Sequence, residues 1–291
     1  MNGVHVSEAR GRQIMKTDIE LKNYYMAFFD ILGYNQHISE LSDEESHNYA
    51  DMLSKLIAEA REFIEQLNNS ETPDFHKPIL LTNAGRKDDG FDIYVRTFSD
   101  NIFIFSESTI LPLLQYVAFL QARFLTHGIF LRGALHYGQM AIDDNIIFGK
   151  GLIKVVGLES KIAHFPRIIL SKAFMAELKN HAVLRPSKVM QNAVYVNSLS
   201  AFEKQGNKIV DCDIDNNYYI DYLSAWKYFI KGNIVDENSY SLNDLLTDHR
   251  KFVEDNLDKY EKNEYILQKY NWVRHYHNGF CEKYQYDLKI N

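Results

Sequence analysis

Residues 24–31, YYMAFFDI, are an almost wholly apolar run that contains one carboxylate, Asp30. Such a run, followed two residues later by Gly33, is typical of a central strand that is buried on both faces and ends at a turn. A strand of this kind needs neighbours on both sides, so it places the chain among sheet-containing folds. Asp30 is expected at the exit of that strand, where a functional site can form.

The rest of the first half alternates strand and helix patterns, with loops expected over 70–78 and 83–90. The patterns predict, in chain order, a helix over 42–67, a hairpin over 91–105 that turns at Ser99, Asp100 and Asn101, a helix over 110–127, a strand within 128–138, a second hairpin that turns at 143–145, a helix over 151–163 and a strand over 167–170. Residues 20–175 therefore predict an α/β core with an antiparallel hairpin at its centre.

Residues 176–291 read differently. They contain fewer strand patterns, many tyrosines and a helical region over 241–284 that is expected to be interrupted around Asn278 and Gly279. No linker rich in Pro, Gly or Ser separates the two parts. We expect a mainly helical C-terminal extension that packs on the core.

Composition narrows the classes of function. The 291 residues are 46% hydrophobic and 24% charged, as in soluble globular proteins, and the formal net charge is −7. This charge argues against binding to a nucleic acid polymer or an anionic membrane, and no stretch has the apolar length of a membrane helix. Cys212 and Cys281 are too few for a disulfide framework or a zinc site, so we expect inert thiols and a cytoplasmic protein.

Asp30 and Asp100 lie at the exit and the tip of strands that are expected to be neighbours. Two close carboxylates repel each other, and a hard divalent cation with oxygen ligands removes that repulsion. A metal-binding pair is therefore one interpretation. The alternative is that Asp100 is an ordinary turn residue and that Asp30 caps the next segment.

Four motifs occur in an order that resembles a known family: FFDILGY, RTFSD, RGALHYGQM and GLIKVVGLES. Together they resemble the catalytic domain of the class III nucleotidyl cyclases, over residues 24–160. The segments FSDNI, LESKIAHFPRI and KYNWVRHYHNGF are most similar to the bacterial Pycsar pyrimidine (uridylate or cytidylate) cyclases, which extends the match to nearly the whole chain. The resemblance implies a ferredoxin-like cyclase fold, with a mixed, largely antiparallel sheet and helices packed on it.

The resemblance also implies a reaction. Asp30, the backbone carbonyl of Ile31, and Asp100 correspond to the ligands of two divalent cations, Mn²⁺ or Mg²⁺, which would activate the ribose 3′-hydroxyl and stabilise the leaving pyrophosphate. The substrate is a ribonucleoside triphosphate, and the product is a 3′,5′-cyclic monophosphate that serves as a second messenger in anti-phage defence. Class III sites form between two subunits, so a homodimer with its active sites at the subunit interface is implied.

Residues 31–35, ILGYN, open towards the first long helix. The backbone N–H groups of Leu32, Gly33 and Tyr34 can cradle phosphate oxygens, because glycine allows a close approach and unusual dihedral angles. Taken alone, Gly33 fits a simple tight turn better, and the phosphate-binding interpretation depends on a metal-binding Asp beside it.

The base of the nucleotide is assigned from two positions. Arg96 corresponds to the base-recognising Lys of adenylyl cyclases that carry KTIGD, and a guanidinium offers a long, planar fork of donors to pyrimidine carbonyls. Ile146 is apolar where purine cyclases place a polar residue. We therefore favour UTP or CTP over ATP or GTP. The alternative for Arg96 is a structural ion pair with Asp92.

The chain departs from the family at the transition-state pair. Ile153 and Gly157 stand where the class III pattern has Asn and Arg. Lys150, Lys154, Lys161 and Arg167 lie nearby in sequence and are candidates for stabilising the phosphates instead. The alternative for the three lysines is a solvated helix face, which is favoured for Lys161, and Arg167 also fits a structural role. Neither Arg132 nor His136 is assigned to catalysis, and His275 and His277 fit aromatic packing better than metal binding. Two alternatives to a pyrimidine cyclase stay open: an adenylate cyclase, and a degenerate module that binds nucleotide and dimerises.

Overall fold

The computed structural model of the chain describes residues 19–69, 92–143, 145–180, 182–186, 193–197, 208–231 and 235–291. Within these ranges the protein is a mixed α/β structure with a largely antiparallel sheet, helices on both faces and a mainly helical C-terminal part, as predicted. The expected loops over 70–78 and 83–90, and Asp144 of the second turn, lie outside the described residues.

The strands are β1 (Lys22–Ile31), β2 (Tyr94–Phe98), β3 (Asn101–Ser106), β4 (Leu131–Ile142), β5 (Ile147–Phe148), β6 (Ile168–Leu170), β7 (Ala182–Pro186), β8 (Ala193–Asn197), β9 (Val210–Cys212) and β10 (Tyr218–Ile220). The helices are α1 (Tyr34–Glu40), α2 (Asp43–Asn69), α3 (Ile110–Leu125), α4 (Lys150–Lys161), α5 (Lys172–Asn180), α6 (Tyr222–Lys231), α7 (Leu242–Lys259) and α8 (Glu264–Tyr284). The helices and strands predicted for the first half are confirmed, with shifts of a few residues at their ends.

The main sheet has the strand order β2-β3-β1-β4-β6-β10-β9, and β5 pairs with the end of β4. Among the described strands of this sheet, the β4–β6 pairing is parallel and the others are antiparallel. In the described residues β7 and β8 form a separate two-stranded sheet. Since β9 and β10 follow residue 176 and still join the main sheet, the C-terminal part contributes strands to it as well as helices. The proposed boundary after residue 175 stays a prediction.

Strand β1 is central because successive side chains point to opposite faces and both faces are buried. Tyr25, Ala27, Phe29 and Ile31 pack in one core with α2, α3 and α5, together with α6 and α7. On the other face, Tyr24 and Met26 pack with β3, α4 and α8. Asp30 projects from this second face.

Two expectations are wrong. The β2–β3 hairpin is not at the centre of the sheet, because β1 pairs with β3 on one side and β4 on the other and leaves β2 at the edge. The helical region is not interrupted at Asn278 and Gly279, since α8 runs through both. The interruption lies at residues 260–263, where α7 ends and the Asn263 side chain accepts a bond from the Ile266 N–H. An isolated helical glycine costs only about 1 kcal/mol, which packing easily offsets.

The last residues of the chain fold back on α8. The Asn278 amide exchanges two 2.8 Å hydrogen bonds with the backbone of Ile290, and His277 Nε2 donates to the Leu288 carbonyl at 2.7 Å. Because that carbonyl can only accept, neutral His277 accepts at Nδ1 from His249, whose Nε2 accepts from the Tyr222 hydroxyl at 2.7 Å. Burial lowers the pKa of His249 well below its usual value and keeps this chain of bonds neutral.

Candidate functional site

Asp30 and Asp100 are brought together at one end of the sheet. Asp30 is the next-to-last residue of β1 and lies opposite Asn101 of β3, and the Ile31 N–H donates to the Asp100 carbonyl at 3.0 Å. The Asn101 amide donates to the Asp100 carboxylate at 2.9 Å. The two-residue turn requires Ser99 to adopt a φ of 54°, a left-handed conformation that is unusual for a side chain other than glycine. The structure therefore places both predicted carboxylates at neighbouring strand ends.

Arg132 of β4 lies directly opposite Asp30 in the strand register. Its guanidinium donates two hydrogen bonds to the Asp30 carboxylate, from Nε to Oδ1 at 3.2 Å and from Nη2 to Oδ2 at 2.6 Å. The same Nη2 also donates to Glu159 Oε1 of α4. Arg132 is thus shared by two carboxylates, one from the sheet and one from the helix that covers it.

Glu159 is the most buried acid of this group, with a side chain that is 8% exposed. Burial is the main reason that its pKa is raised, and the charges of Asp30 and Asp100 raise it further. Asp30 and Glu159 share one guanidinium, and the Asp100 charge also acts on Glu159, which leaves an excess of negative charge at this end of the sheet. Such a place attracts cations.

Sequence reasoning missed the roles of Arg132 and Glu159. Gly151, Val155 and Glu159 recur every four residues and are all buried, so one acid falls on the inward stripe of α4. That spacing was a usable signal for Glu159. Arg132 was visible only as a polar residue in a strand, because its partner is fixed by the pairing of β1 with β4.

The segment after β1 makes a tight turn into a short helix. Gly33 has a φ of 76°, and a Cβ there would meet no atom within 4 Å. The Leu32 N–H already donates to the Phe130 carbonyl at 2.9 Å, so it has a structural partner. Gly33 caps α1 without a side-chain hydrogen bond, which leaves the N–H groups that begin at Tyr34 without helical acceptors.

Arg96 lies on the same face of the sheet as Asp30, because it pairs with Phe103, which in turn pairs with Phe28. It is exposed, and its hydrogen bond within the described residues goes to the Val95 carbonyl at 3.4 Å. The alternative ion pair with Asp92 is not formed. Asp92 instead bonds the 106–109 turn, accepting from the Ser106 hydroxyl at 2.9 Å.

The remaining candidates lie away from Asp30. Ile146 follows the far end of β4, and ten residues of strand span about 30 Å between Arg132 and Ile142. Lys150 begins α4, nine residues or about 14 Å before Glu159. Lys154 is exposed beside His136, and burial together with the Lys154 charge lowers the pKa of His136 to about 4. One chain therefore does not gather all of the predicted substrate-binding residues.

The cationic alternatives divide clearly. Lys161 is exposed at the end of α4. Arg167 is fully buried, forms ion pairs with Asp213 and Asp215, and lies 5.3 Å from the ring centre of Trp272. Its surroundings give Arg167 a structural role.

The two positions that depart from the class III pattern face away from the site. Ile153 is 73% exposed, and nothing lies within 4 Å of a Cβ added at Gly157, so α4 presents neither position to this chain's own carboxylates.

The donor set suits a hard divalent cation. Within the described ranges no three His, Cys, Asp or Glu side chains form a ready metal-binding group. Asp30, Asp100 and nearby backbone carbonyls offer oxygen ligands, and the Arg132 guanidinium already stands in as a positive charge against Asp30. These residues are the ones that would hold a cation.

Across the described ranges, no helix is long and apolar enough to cross a membrane.

No family model and no curated protein matches the sequence. The catalytic core of a rhodopsin-guanylyl cyclase with converted specificity, in complex with ATPαS, is 13% identical, with a TM-score of 0.40 over 69% of this chain and 98% of that one. The monomeric guanylyl cyclase domain of the RhoGC fusion protein from the aquatic fungus Blastocladiella emersonii is 11% identical, with a TM-score of 0.39 over 70% and 97%. A class III adenylyl cyclase-like ATP-binding protein from Pseudomonas aeruginosa is 11% identical, with a TM-score of 0.33 over 64% and 40%.

Proposed function

We propose that the protein is a metal-dependent nucleotidyl cyclase that converts UTP or CTP to the 3′,5′-cyclic monophosphate and pyrophosphate. The observation that carries the proposal is the meeting of Asp30 and Asp100 at adjacent strand ends, joined by the Ile31 to Asp100 backbone bond. The resemblance of the motifs to the class III cyclases supports a metal-binding role for the same two residues. Bound divalent ions supply activation of the ribose 3′-hydroxyl and neutralise the triphosphate.

The chain's own part in the reaction is to hold the reacting groups. Asp30 and Asp100 orient the cation site, while the N–H groups that follow Gly33 face phosphate oxygens. Displacement at the α-phosphorus within one molecule needs mainly alignment and charge stabilisation, so a dedicated general base is not essential. Arg96 supplies donors to the carbonyls of a pyrimidine, and apolar Ile146 lines the base on the other side.

A homodimer completes this site. Ile146 and Lys150 are too far along β4 and α4 to reach Asp30 within one chain, whereas a second copy related by a two-fold axis would bring its own pair across. Phe148 and Ile153, 64% and 73% exposed, form an apolar surface beside them that association would cover. Each dimer then has two equivalent sites.

The direct test supplies pure protein with each of the four ribonucleoside triphosphates and Mn²⁺, and detects cyclic products by mass spectrometry. We expect cyclic UMP or cyclic CMP, and at least a 100-fold loss in Asp30→Asn or Asp100→Asn. Asp51→Asn, which changes an exposed acid of α2, serves as the control. The proposal would be refuted if the unmodified protein, the Asp30 variant and the Asp51 control all gave no cyclic product.

Mixing two inactive variants tests the shared site. We expect Asp30→Asn and Lys150→Ala dimers each to be inactive, but since Asp30 and Lys150 of one site come from different chains, exchange creates one intact site in half of the dimers, and about a quarter of the activity should return. A mixture that stays inactive after verified subunit exchange would contradict a site built from two chains.

Two alternatives predict different results in the same assay. A preference for ATP in the same assay would identify an adenylate cyclase. The apolar Ile153 and the absence of a side chain at Gly157 favour a degenerate module, which would bind nucleotide tightly without forming product. The role in anti-phage defence rests on the resemblance alone, and a neighbouring gene for a membrane effector that binds cyclic nucleotides would support it.

A further inference from the structure

Arg132 is placed between two carboxylates of different character. Its Nη2 donates to both Asp30 and Glu159, while its Nε donates only to Asp30. Asp30 ends a strand, beside the Asp100 turn, whereas Glu159 belongs to the buried stripe of α4. One guanidinium therefore serves two partners that have unequal access to other cations.

Burial decides which partner can release it. The Glu159 side chain is 8% exposed and that of Asp30 is 19% exposed. A buried carboxylate that loses its counter-ion carries a large desolvation penalty. Asp30 can replace the guanidinium with a cation that arrives from solvent, whereas Glu159 depends on Arg132.

We propose that Arg132 is a positioning residue that occupies Asp30 until a divalent cation displaces it, and that Glu159 retains the displaced guanidinium. This inference rests on the proposed function, because it concerns the same cation site. The exchange moves the guanidinium from a bridge between two carboxylates to a pair with Glu159 alone. It keeps Glu159 neutralised in both states and leaves both Asp30 oxygens free for the cation.

The exchange makes cation affinity depend on Arg132 and Glu159 in opposite directions. Arg132→Met removes the competitor, so Mn²⁺ affinity without nucleotide should rise about 10-fold, the size expected for losing one charge-assisted contact. Glu159→Gln removes the alternative partner, so Arg132 holds Asp30 more firmly and Mn²⁺ affinity should fall about 10-fold. In the Arg132→Met background the same Gln substitution should change affinity less than about 3-fold, since only a nearby charge is lost.

Free Mn²⁺, measured by electron paramagnetic resonance on the full chain without nucleotide, is the readout. Asp30→Asn should abolish the tight binding and so locate the site. Arg123→Met is the matched control, because Arg123 pairs with Glu59 on the other face of the sheet and should leave affinity unchanged. The double variant Arg132→Met with Glu159→Gln replaces both partners by neutral side chains of similar size, so it stays foldable if Arg132→Met alone does not.

An unchanged or lower affinity in Arg132→Met, or an equal effect of Glu159→Gln in both backgrounds, would overturn the inference. If Arg132→Met does not fold, the double variant decides, and an affinity below that of Glu159→Gln alone would overturn the inference as well. The two proposals fail separately. Cyclic product with Mn²⁺ affinity that is insensitive to Arg132 refutes only the exchange, whereas the predicted affinities without any cyclic product refute only the cyclase activity.

Discussion

Arg167→Met should destabilise the fold through the loss of one buried network. Arg167 has no exposed surface and pairs with Asp213 and Asp215 in the β9–β10 turn. Its guanidinium also lies against the rings of Phe165 and of Trp272, the latter on α8. Removing one partner of a buried ion pair costs about 3–5 kcal/mol. Asp213 keeps its bond from Trp272 Nε1, and Asp215 is 38% exposed, so both can recover part of the loss. We therefore expect the lower end of that range, about 3 kcal/mol.

Chemical denaturation followed by circular dichroism measures this loss. A loss of about 3 kcal/mol corresponds to a fall of about 5 °C in Tm for a chain of this length. Lys208→Met is the matched control, because Lys208 pairs with Asp211 at a more exposed position on β9 and should cost less than about 1 kcal/mol. If Arg167→Met were as stable as that control, the structural role assigned to Arg167 would be wrong.

Two further predictions concern the sheet. Burial and the Lys154 charge lower the pKa of His136 from its ordinary value of 6.5 to about 4. As pH falls below 6.5, His136 therefore takes up a proton in the unfolded chain before it does so in the folded chain. The contribution of neutral His136 to folding stability is present above pH 6.5 and is lost as pH falls towards 4. His136→Gln should therefore remove about 2 kcal/mol of the stability difference between pH 7 and pH 5, and an identical pH profile in denaturant titrations would contradict this. A Cβ on Gly133 would lie 2.2 Å from Phe29 Cβ and 2.4 Å from the Phe28 carbonyl oxygen, so Gly133→Ala should lower the free energy of unfolding by about 3 kcal/mol. Gly157→Ala, where a Cβ meets no atom within 4 Å, should be neutral or stabilise by up to about 1 kcal/mol. Equal Tm values for the two variants in thermal melts would refute the close approach at Gly133.

Local patterns predicted much of the fold. The apolar run of β1, the turn residues at Ser99 and Asp100 and the stripe of α2 each depend on residues that are close in sequence, so periodicity and turn chemistry were sufficient. The same local signals predicted that Asp30 and Asp100 each lie at a strand end, whereas their meeting depends on the pairing of β1 with β3. The metal ions and the pyrimidine substrate stay predictions.

The rest depends on partners that are distant in sequence. Arg132 contacts Asp30 because of the register in which β4 pairs with β1, and Arg167 contacts Asp213, which lies 46 residues later in the sequence. Neither pairing has a local signature. The addition of β9 and β10 to the sheet was missed because three-residue strands carry too little alternation to recognise.

The return of residues 288–290 onto α8 has a practical consequence. The Ile290 N–H donates to the Asn278 side chain, and the Leu288 and Ile290 carbonyls accept from His277 and Asn278. An amide held in this way exchanges with deuterium only when its contact opens. The exchange rate of the Ile290 amide therefore measures how often this segment leaves α8 while the sheet stays folded.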